Sequence, residues 1–267
     1  DFDKVAAMKN TYAKLKLDCL VVLGGNGSIK SANMLSQEGL NVIALPKTID
    51  NDTWGTDYTF GYQSAIDIAT TYLDQIHTTA ASHNRVFVIE VMGHKVGHIC
   101  LSAGIASGAD VILLPEIPYD IKEVAKAIKT REKNGKKFSI IACAEGALSK
   151  EEATLSKKEY KAKVKARNGQ SVVYEIAAEL EKYIDSEIRV SCIGHGQPCP
   201  YDRMISTQFG VAGARLVMGG DYGKLVILKN NGVTAIPLVE SAGKLKYVDA
   251  VGAKVKDAKL LGISFGD

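Results

Sequence analysis

Apolar residues along this chain follow two spacings that alternate, and the alternation predicts strands and helices in turn. Short, continuously apolar runs are typical of buried strands, whereas apolar residues three and four positions apart are typical of helices. In the helix predicted from 63 to about 79, the second spacing is followed by Ile66, Ala69, Leu73 and Ile76. Strands are predicted at 18–23, 41–45, 85–91, 110–114, 138–143 and 188–193. This order predicts an α/β fold with a parallel sheet that helices cover on both faces.

The remaining segments complete the predicted order of elements. A hairpin is expected around Asn230-Asn231-Gly232, and the charge-rich segment 150–167 is expected to be a solvated helix face or a mobile lobe. Pro198 and Pro200 are expected to interrupt the chain before the last long helix. Further helices are predicted at 5–17, 29–38, 97–106, 121–133, 172–183 and 204–218.

A glycine-rich segment, Gly24-Gly25-Asn26-Gly27-Ser28, lies between the first predicted strand and its helix. Bare backbone amides and a helix amino terminus both attract an anion, so the segment is a candidate phosphate site. The segment matches neither the dinucleotide fingerprint nor the Walker loop, which requires Gly-Lys-Ser/Thr. A structural turn without a ligand explains the glycines equally well.

The segment Pro46-Lys47-Thr48-Ile49-Asp50-Asn51-Asp52 follows the second predicted strand. Ligands of open α/β sheets bind outside the carboxyl ends of strands, which is where this segment is expected. If the chain is extended here, Asp50 and Asp52 point the same way and could share a cation, or one could act as a base. A surface turn is an equally good interpretation, because Asp and Asn favour turns.

Polar residues recur at successive strand ends, and strand ends of one sheet converge in space. A glycine loop, cations and a carboxylate together suit phosphoryl transfer, which requires positioning, charge neutralisation and a base for the acceptor hydroxyl. The residues in this predicted set are Asn26, Lys47, Asp50, Asp52, His94, Glu145, Arg189 (at a strand's start) and His195.

Composition narrows the class of protein without identifying it. The 267 residues are 46% hydrophobic and 24% charged, as in soluble globular proteins, and suffice for one large or two modest domains. The net charge of +3 does not require a nucleic-acid partner, and no apolar run approaches the length of a membrane span. Five scattered cysteines without a CxxC pair, and a charged amino terminus unlike a signal peptide, predict a reduced cytoplasmic protein.

With these segments assembled, the chain resembles the 6-phosphofructokinases, a family with ATP-dependent and pyrophosphate-dependent members. The resemblance covers nearly the whole chain, and its motifs occur in the family's order. The matching motifs are Gly24 to Ser28, Pro46 to Asp52, Ser82-His83-Asn84-Arg85, Glu90-Val91-Met92-Gly93, Pro115-Glu116-Ile117-Pro118, Glu145-Gly146, Gly194-His195 and Pro200-Tyr201-Asp202-Arg203.

The resemblance implies two α/β lobes and a role for each matched residue. A phosphoryl-donor lobe is expected at 1–60 with 197–245, and a sugar-phosphate lobe at 61–196 with 246–267. Asp50 matches the base that takes the proton from the sugar 1-hydroxyl, with Thr48, Asp52 and Lys47 beside it. The fructose 6-phosphate positions are matched by Met92, Gly93, His94, Glu145, Arg189 and His195, and Arg85 matches an arginine that reaches a neighbouring subunit's sugar phosphate.

The resemblance also implies cofactors and an assembly. Gly24, Gly25, Asn26, Gly27 and Ser28 are expected to bind the donor phosphates, and Asn26 and Asp52 to contact Mg²⁺. The role of Arg85 implies a homo-oligomer, a dimer or a tetramer. In the family, glycine at the position of Gly27 leaves room for a nucleotide where pyrophosphate users carry aspartate. Lys47 is typical of pyrophosphate users, but it also occurs beside that glycine in an ATP-using branch of the family. The pair favours ATP as the donor, with pyrophosphate as the alternative.

The chain departs from the family pattern at four points. Asn26 replaces a magnesium-contacting aspartate, and His94 replaces an arginine. Gly196-Gln197-Pro198-Cys199 lacks the usual Arg-Gly-Gly, and the family's first strand with its glycine loop is not in this sequence. We expect that missing pieces explain the last two departures and that the chain alone has little activity.

Two alternative functions follow from these departures and from the glycine loop. A catalytically weak regulatory or sugar-phosphate-binding subunit would suit Asn26 and His94, although such a subunit would not need Asp50, Asp52 and Lys47. An NAD-kinase or lipid-kinase type of protein has a similar glycine loop but does not explain the Pro46 to Asp52 segment.

Overall fold

The predicted alternation of strands and helices is confirmed, and it forms two separate sheets. The structure is a computed structural model that describes residues 3–194 and 198–267. The chain divides into two compact units: unit 1 comprises Asp1–Gln63 and Pro198–Lys246, and unit 2 comprises Ser64–Gln197 and Tyr247–Asp267. No helix in the described part of the chain is long and apolar enough to cross a membrane.

The described residues form strands and helices close to those predicted, with short additions. The strands are β1 Leu20–Gly24, β2 Val42–Thr48, β3 Phe60–Gly61, β4 Val86–Val91, β5 Val111–Leu113, β6 Ser139–Ala144, β7 Ile188–Cys192, β8 Lys224–Lys229 and β9 Gly232–Pro237. The helices are α1 Lys4–Lys14, α2 Asn26–Gln37, α3 Tyr62–His83, α4 His98–Ala106, α5 Ile121–Lys133, α6 Lys150–Ala153, α7 Lys157–Ala166, α8 Val172–Leu180, α9 Pro200–Met218, α10 Leu238–Ser241 and α11 Ala253–Leu260.

The sheet of unit 1 is parallel except at one edge. Its strands run in the order β1-β2-β8-β9, with β3 also paired to β2, and only the β8–β9 hairpin is antiparallel. Side chains of β2 alternate between two cores: Val42 and Ala44 pack with α2 and α10, and Ile43 and Leu45 pack with α9. β2 is therefore covered on both faces, as its continuous apolar run predicts. Edge strand β1 differs, since Val21 and Leu23 on it are exposed.

The sheet of unit 2 is entirely parallel, in the order β5-β6-β4-β7. One face packs on α5 and α8 through side chains such as Val124, Ile128 and Val173. On α4, a Cβ at Gly104 would lie 2.8 Å from Ile112, so glycine permits this helix to pack closely. β4 is central, and its residues are buried except Glu90, which is half-buried.

Several element boundaries differ from the predictions, and three of the differences have clear local reasons. β2 continues to Thr48, so Pro46 and Lys47 end the strand rather than follow it; Pro46 is paired in register with Gly24 of β1. α2 begins at Asn26, which places much of the glycine-rich segment in the helix's first turn. α9 begins at Pro200, because proline suits the first helical position, where no amide hydrogen bond is required.

The charge-rich segment forms α6 and α7, each with a capping box, at Ser149 and at Ser156. α7 has no buried residue, which agrees with the predicted solvated helix. An ion cluster anchors it: Arg167 lies 2.6 Å from Glu152 and 2.9 Å from Glu175, and Lys163 lies 2.9 Å from Glu152. Burial would raise the pKa of Glu152, but the Ser149 amide and the two cations lower it below its usual value. The side chain of Glu152 is only 2% exposed, so its charge depends on these partners.

We expect Arg167→Met to lower the free energy of unfolding by about 3 kcal/mol, because it removes one cation from a buried carboxylate. Urea denaturation at pH 7 measures this. Lys182→Met is the matched control, since it breaks an exposed pair with Glu179 and should leave the free energy of unfolding almost unchanged. Equal stability of the two variants would show that the cluster does not anchor the segment.

Candidate active site

In unit 1 the glycine-rich segment and the acidic segment lie side by side, because they end neighbouring parallel strands. β1 pairs with β2 so that Gly24 lies opposite Pro46. A Cβ at Gly25 would lie 3.3 Å from the Thr48 Cβ, and one at Gly24 would lie 2.3 Å from the Ser28 hydroxyl. Glycine therefore lets the start of α2 approach the end of β2 closely.

The start of α2 is also open to a ligand. Gly25 is the N-cap residue and makes no side-chain cap, so Asn26, Gly27 and Ser28 form the first turn without a capping oxygen. The first amides of a helix have no partner within the helix, and its dipole favours an anion there. A Cβ at Gly27 would meet no atom within 4 Å. The predicted phosphate site therefore has space beside Gly27.

The acidic segment is a turn held by hydrogen bonds, and not the extended chain considered in the sequence analysis. Asn51 has φ of 55°, in the left-handed region that asparagine tolerates, so the argument that Asp50 and Asp52 point the same way is wrong. The Asp50 amide donates to Thr48 Oγ1 at 3.2 Å, and the Thr59 amide donates to Asn51 Oδ1 at 3.1 Å. These bonds fix the turn immediately beyond β2.

Exposure differs along this segment in a way that suits separate roles. Lys47 is exposed, Thr48 and Asp50 are half-buried, and Asn51 and Asp52 are buried. The Thr59 hydroxyl donates to the Thr48 carbonyl at 2.8 Å, which ties the end of β2 to β3. The residues predicted to bind the phosphoryl donor therefore lie close together in unit 1, at the ends of β1 and β2.

No group of three or more His, Cys, Asp or Glu side chains is arranged to bind a metal among the described residues. Mg²⁺ does not require such a group, since it is commonly held by one or two protein oxygens, water and substrate phosphates. The Asn26 Nδ2 donates to the Lys244 carbonyl at 2.8 Å, so the amide oxygen is the atom of Asn26 suited to a cation. Asn26 is compatible with magnesium in this way.

In unit 2 the predicted convergence occurs at the carboxyl ends of β4 and β6. The Glu145 carboxylate accepts hydrogen bonds from the amides of Gly93, at 3.0 Å, and His94. Gly93 has φ of 150°, and a Cβ there would lie 2.5 Å from the Val96 carbonyl, so glycine is required. Met92 precedes this contact and is half-buried, whereas His94 is exposed. His195 lies outside the described residues.

Arg189 does not join this group. It lies opposite Phe87, near the start of β4, whereas Glu145 follows the end of β6. Its guanidinium pairs with Glu187, whose carboxylate also lies 2.5 Å from Arg85 Nε. Both arginines therefore lie at the amino ends of the strands. The expectation that Arg189 converges with the strand-end residues is wrong, because a parallel strand brings its first residues to the opposite edge of the sheet.

A separate cavity of about 540 Å³ lies in unit 2 beside α6 and α7. Its lining includes Tyr119, Lys150, Glu152 and Tyr183, and it includes none of the residues predicted to bind substrate, donor or metal.

Comparison with known proteins identifies the family. The family model described as phosphofructokinase matches residues 1–217. The ATP-dependent 6-phosphofructokinase of Spirochaeta thermophila is 53% identical over 268 residues, which are 99% of this chain and 73% of that protein. The chain belongs to the phosphofructokinase family. The enzyme of the same name from Propionibacterium freudenreichii is 43% identical over 98% of this chain and 76% of its own length.

Solved structures agree on the phosphofructokinase fold. The pyrophosphate-dependent phosphofructokinase of Nitrosospira multiformis superposes with a TM-score of 0.80 at 18% identity, over 98% of this chain and 72% of that one. The Saccharomyces cerevisiae phosphofructokinase gives a TM-score of 0.72 at 27% identity, over 90% of this chain and 35% of the yeast chain. At 18% identity, the similarity to the Nitrosospira multiformis structure shows the fold alone.

Sequence reasoning gave no role to a polar pair near Glu145: Glu90, named only as part of a matching motif, and Ser171. Glu90 on β4 accepts a hydrogen bond from the hydroxyl of Ser171, the N-cap residue of α8. Burial raises the pKa of Glu90, the Ser171 bond partly offsets this, and the nearby Glu145 carboxylate raises it further. The sequence does contain a sign of this pair, because Glu90 lies within an apolar strand and a buried carboxylate seldom occurs without a polar partner.

We expect Glu90→Gln to raise the melting temperature at pH 7 by about 2 °C. A glutamate with a raised pKa favours folding only at low pH, and that contribution is lost as the pH rises through its folded-state pKa. The advantage of the variant should therefore shrink as the pH falls through the raised folded-state pKa of Glu90 and be absent below the ordinary glutamate value of about 4.5. Thermal melting from pH 4 to 8 measures this, and exposed Glu240→Gln is the control. A variant less stable than the parent at pH 7 would contradict the assignment.

Proposed function

We propose that this phosphofructokinase transfers a phosphoryl group from ATP to the 1-hydroxyl of fructose 6-phosphate. The observation that carries the proposal is the similarity to proteins named ATP-dependent 6-phosphofructokinase, at 43% to 53% identity over 98% or more of the chain. The contact between the start of α2 and the end of β2 supports it, since a phosphate site beside a carboxylate turn suits phosphoryl transfer.

The proposed donor side is the end of β2 and the start of α2. Asp50 accepts the proton of the attacking hydroxyl; the bond from its amide to Thr48 supports this role by fixing the turn. Lys47 and the amides of the first turn of α2 bind the donor phosphates. Mg²⁺, when bound, neutralises the charge of the transferring phosphate, and Asn26 and Asp52 are the residues that would hold it.

The proposed sugar side is the strand-end group of unit 2. Glu145, Met92, Gly93 and His94 contact the sugar, and the bonds from the Gly93 and His94 amides to Glu145 support a fixed arrangement. His195 is proposed for the same substrate from the family pattern. The enzyme's five cysteines are all free, which suits the cytoplasm.

The proposed assembly is a homo-oligomer, a dimer or a tetramer. Arg85 and Arg189 share Glu187, so both are proposed to serve the same phosphate. If Arg85 reaches the sugar phosphate of a neighbouring subunit, Arg189 reaches it too. Two guanidinium groups match a phosphate well because each offers forked donors.

Full-length protein is expected to phosphorylate fructose 6-phosphate with ATP and magnesium, and Asp50→Asn should lower kcat about 10³-fold, because the base is lost. A coupled assay with ATP and with pyrophosphate in parallel measures both activities. Asp221→Asn is the control, since Asp221 is exposed and pairs only at 3.6 Å with Lys224 among the contacts described. Sugar-phosphate binding without turnover would overturn the proposal and favour a regulatory subunit. Turnover with pyrophosphate alone would overturn the donor assignment.

Gly27→Asp is expected to lower kcat/KM for ATP at least about 100-fold, because a carboxylate would fill the open space and repel the nucleotide's phosphates. Steady-state kinetics with both donors measures this. Gly27→Ala is the matched control; its Cβ meets no atom, and alanine favours the helix, so ATP use should persist. An aspartate variant that uses ATP as well as the alanine variant does would show that Gly27 does not select the donor.

A further inference from the structure

The segment Lys244–Leu245–Lys246, called the strap, contacts both halves of the donor side in unit 1. At its start, the Lys244 carbonyl accepts a hydrogen bond of 2.8 Å from Asn26 Nδ2 in the first turn of α2. At its middle, Leu245 forms an isolated antiparallel bridge with Thr53. At its end, the Lys246 amide donates to the Asp52 carbonyl at 2.8 Å. The strap thus spans from the glycine-rich segment to the acidic turn.

The ammonium group of Lys246 adds side-chain bonds to the same turn. It donates to Asn51 Oδ1 at 2.8 Å, to the Thr56 carbonyl at 2.8 Å and to the Asp57 carbonyl at 2.9 Å. The acceptors lie on both sides of the bend that begins at Asp50, so one cation closes the whole loop. Lys246 is half-buried, and a half-buried ammonium that donates three bonds is oriented by its acceptors.

Asn51 is the point where the two sets of bonds meet. Its side-chain oxygen accepts both from Lys246 and from the Thr59 amide, while its backbone has the left-handed conformation. A non-glycine residue in that conformation persists only where its surroundings favour it. The residue lies between Asp50 and Asp52, so any relaxation at Asn51 changes the direction of both carboxylates.

We propose that Lys246 is a positioning residue for phosphoryl transfer, and that the strap couples Asn26 to the Asp50–Asp52 turn. The inference rests on the proposed function, because it names the residue that fixes the proposed base. The coupling also accounts for a neutral side chain at Asn26. An amide can donate to the Lys244 carbonyl, whereas an aspartate at position 26 would repel that oxygen.

Lys246→Met is the first test in full-length protein, since methionine retains the aliphatic stem without the ammonium. We expect kcat to fall about 100-fold, as misplaced groups cost that much, with KM for fructose 6-phosphate changed less than about threefold. The small effect on KM follows because the three hydrogen bonds described for the Lys246 ammonium are to residues of unit 1, whereas the proposed sugar residues are in unit 2. Lys229→Met is the matched control; its exposed ammonium lies 3.2 Å from the Asp57 carboxylate, and kcat should be unchanged. A fall in kcat equal in both variants, or none in either, would overturn the role of Lys246.

Hydrogen–deuterium exchange provides a readout that does not depend on activity. Amides at 50–60 should exchange faster in Lys246→Met and also in Asn26→Asp, which keeps an oxygen for a metal but cannot donate to Lys244. The double variant should exchange no faster than the faster of the two single variants, because both substitutions loosen the same turn. Unchanged exchange in Asn26→Asp, or independent effects of the two substitutions, would overturn the coupling. If the parent protein lacks turnover, the proposed function and the catalytic role of Lys246 fail together, and exchange still decides the coupling of Asn26 to the turn.

Discussion

The parallel pairing of β1 with β2 is the constraint on which the donor side depends. It sets Gly24 opposite Pro46, so the helix that follows one strand and the turn that follows the other begin at the same edge. Without side chains at Gly24 and Gly25, α2 can approach Thr48 closely. A helix dipole and a pair of carboxylates are thereby brought together by backbone hydrogen bonds alone. The strap then adds what the sheet cannot provide, a fixed conformation for the turn itself.

In the sheet of unit 2, the two ends of the parallel strands carry different charged side chains. At the carboxyl ends, Glu145 receives backbone amides and no guanidinium among its described bonds. At the amino ends, Arg85 and Arg189 share the carboxylate of Glu187, whose pKa is lowered by the bond from Arg85 and by the charge of both arginines. The two edges of this sheet therefore carry different groups: a carboxylate held by backbone amides at one, and two arginines around a shared carboxylate at the other.

Sequence patterns predicted the fold well because continuous apolar runs leave few alternatives. α5 was predicted at its observed bounds, and β4 differed only by Arg85. The errors arose where local chemistry overrides periodicity. β2 continues through Pro46, because the missing amide proton leaves the pairing with β1 intact. Asn51 has a left-handed backbone conformation, which residue spacing does not predict. Arg189 was grouped with the strand-end residues although it was recognised at a strand's start, and a parallel sheet brings that end of the strand to the opposite edge.

Supporting residues of the site were the least predictable part. Lys246 lies 195 positions from Asn51 in sequence, and one lysine among many carries no pattern that marks it. Glu90 was visible as a charge in a strand, but its partner Ser171 was not, since the contact spans 81 positions. Such residues become apparent only when the chain is folded. Their partners include backbone carbonyls, which every residue has, and hydroxyls, which several residue types have.

The anchoring of α7 has a consequence for how this region can change over evolutionary time. A helix with no buried side chain places no demand on the shape of its neighbours, so its surface can acquire new residues freely. The residues that need to persist are those of the capping box at Ser156 and the charges at Glu152, Lys163, Arg167 and Glu175. Among the described helices, α7 is therefore suited to carry foreign sequence, such as a recognition tag or a fluorescent label, with the sheet beneath it left intact.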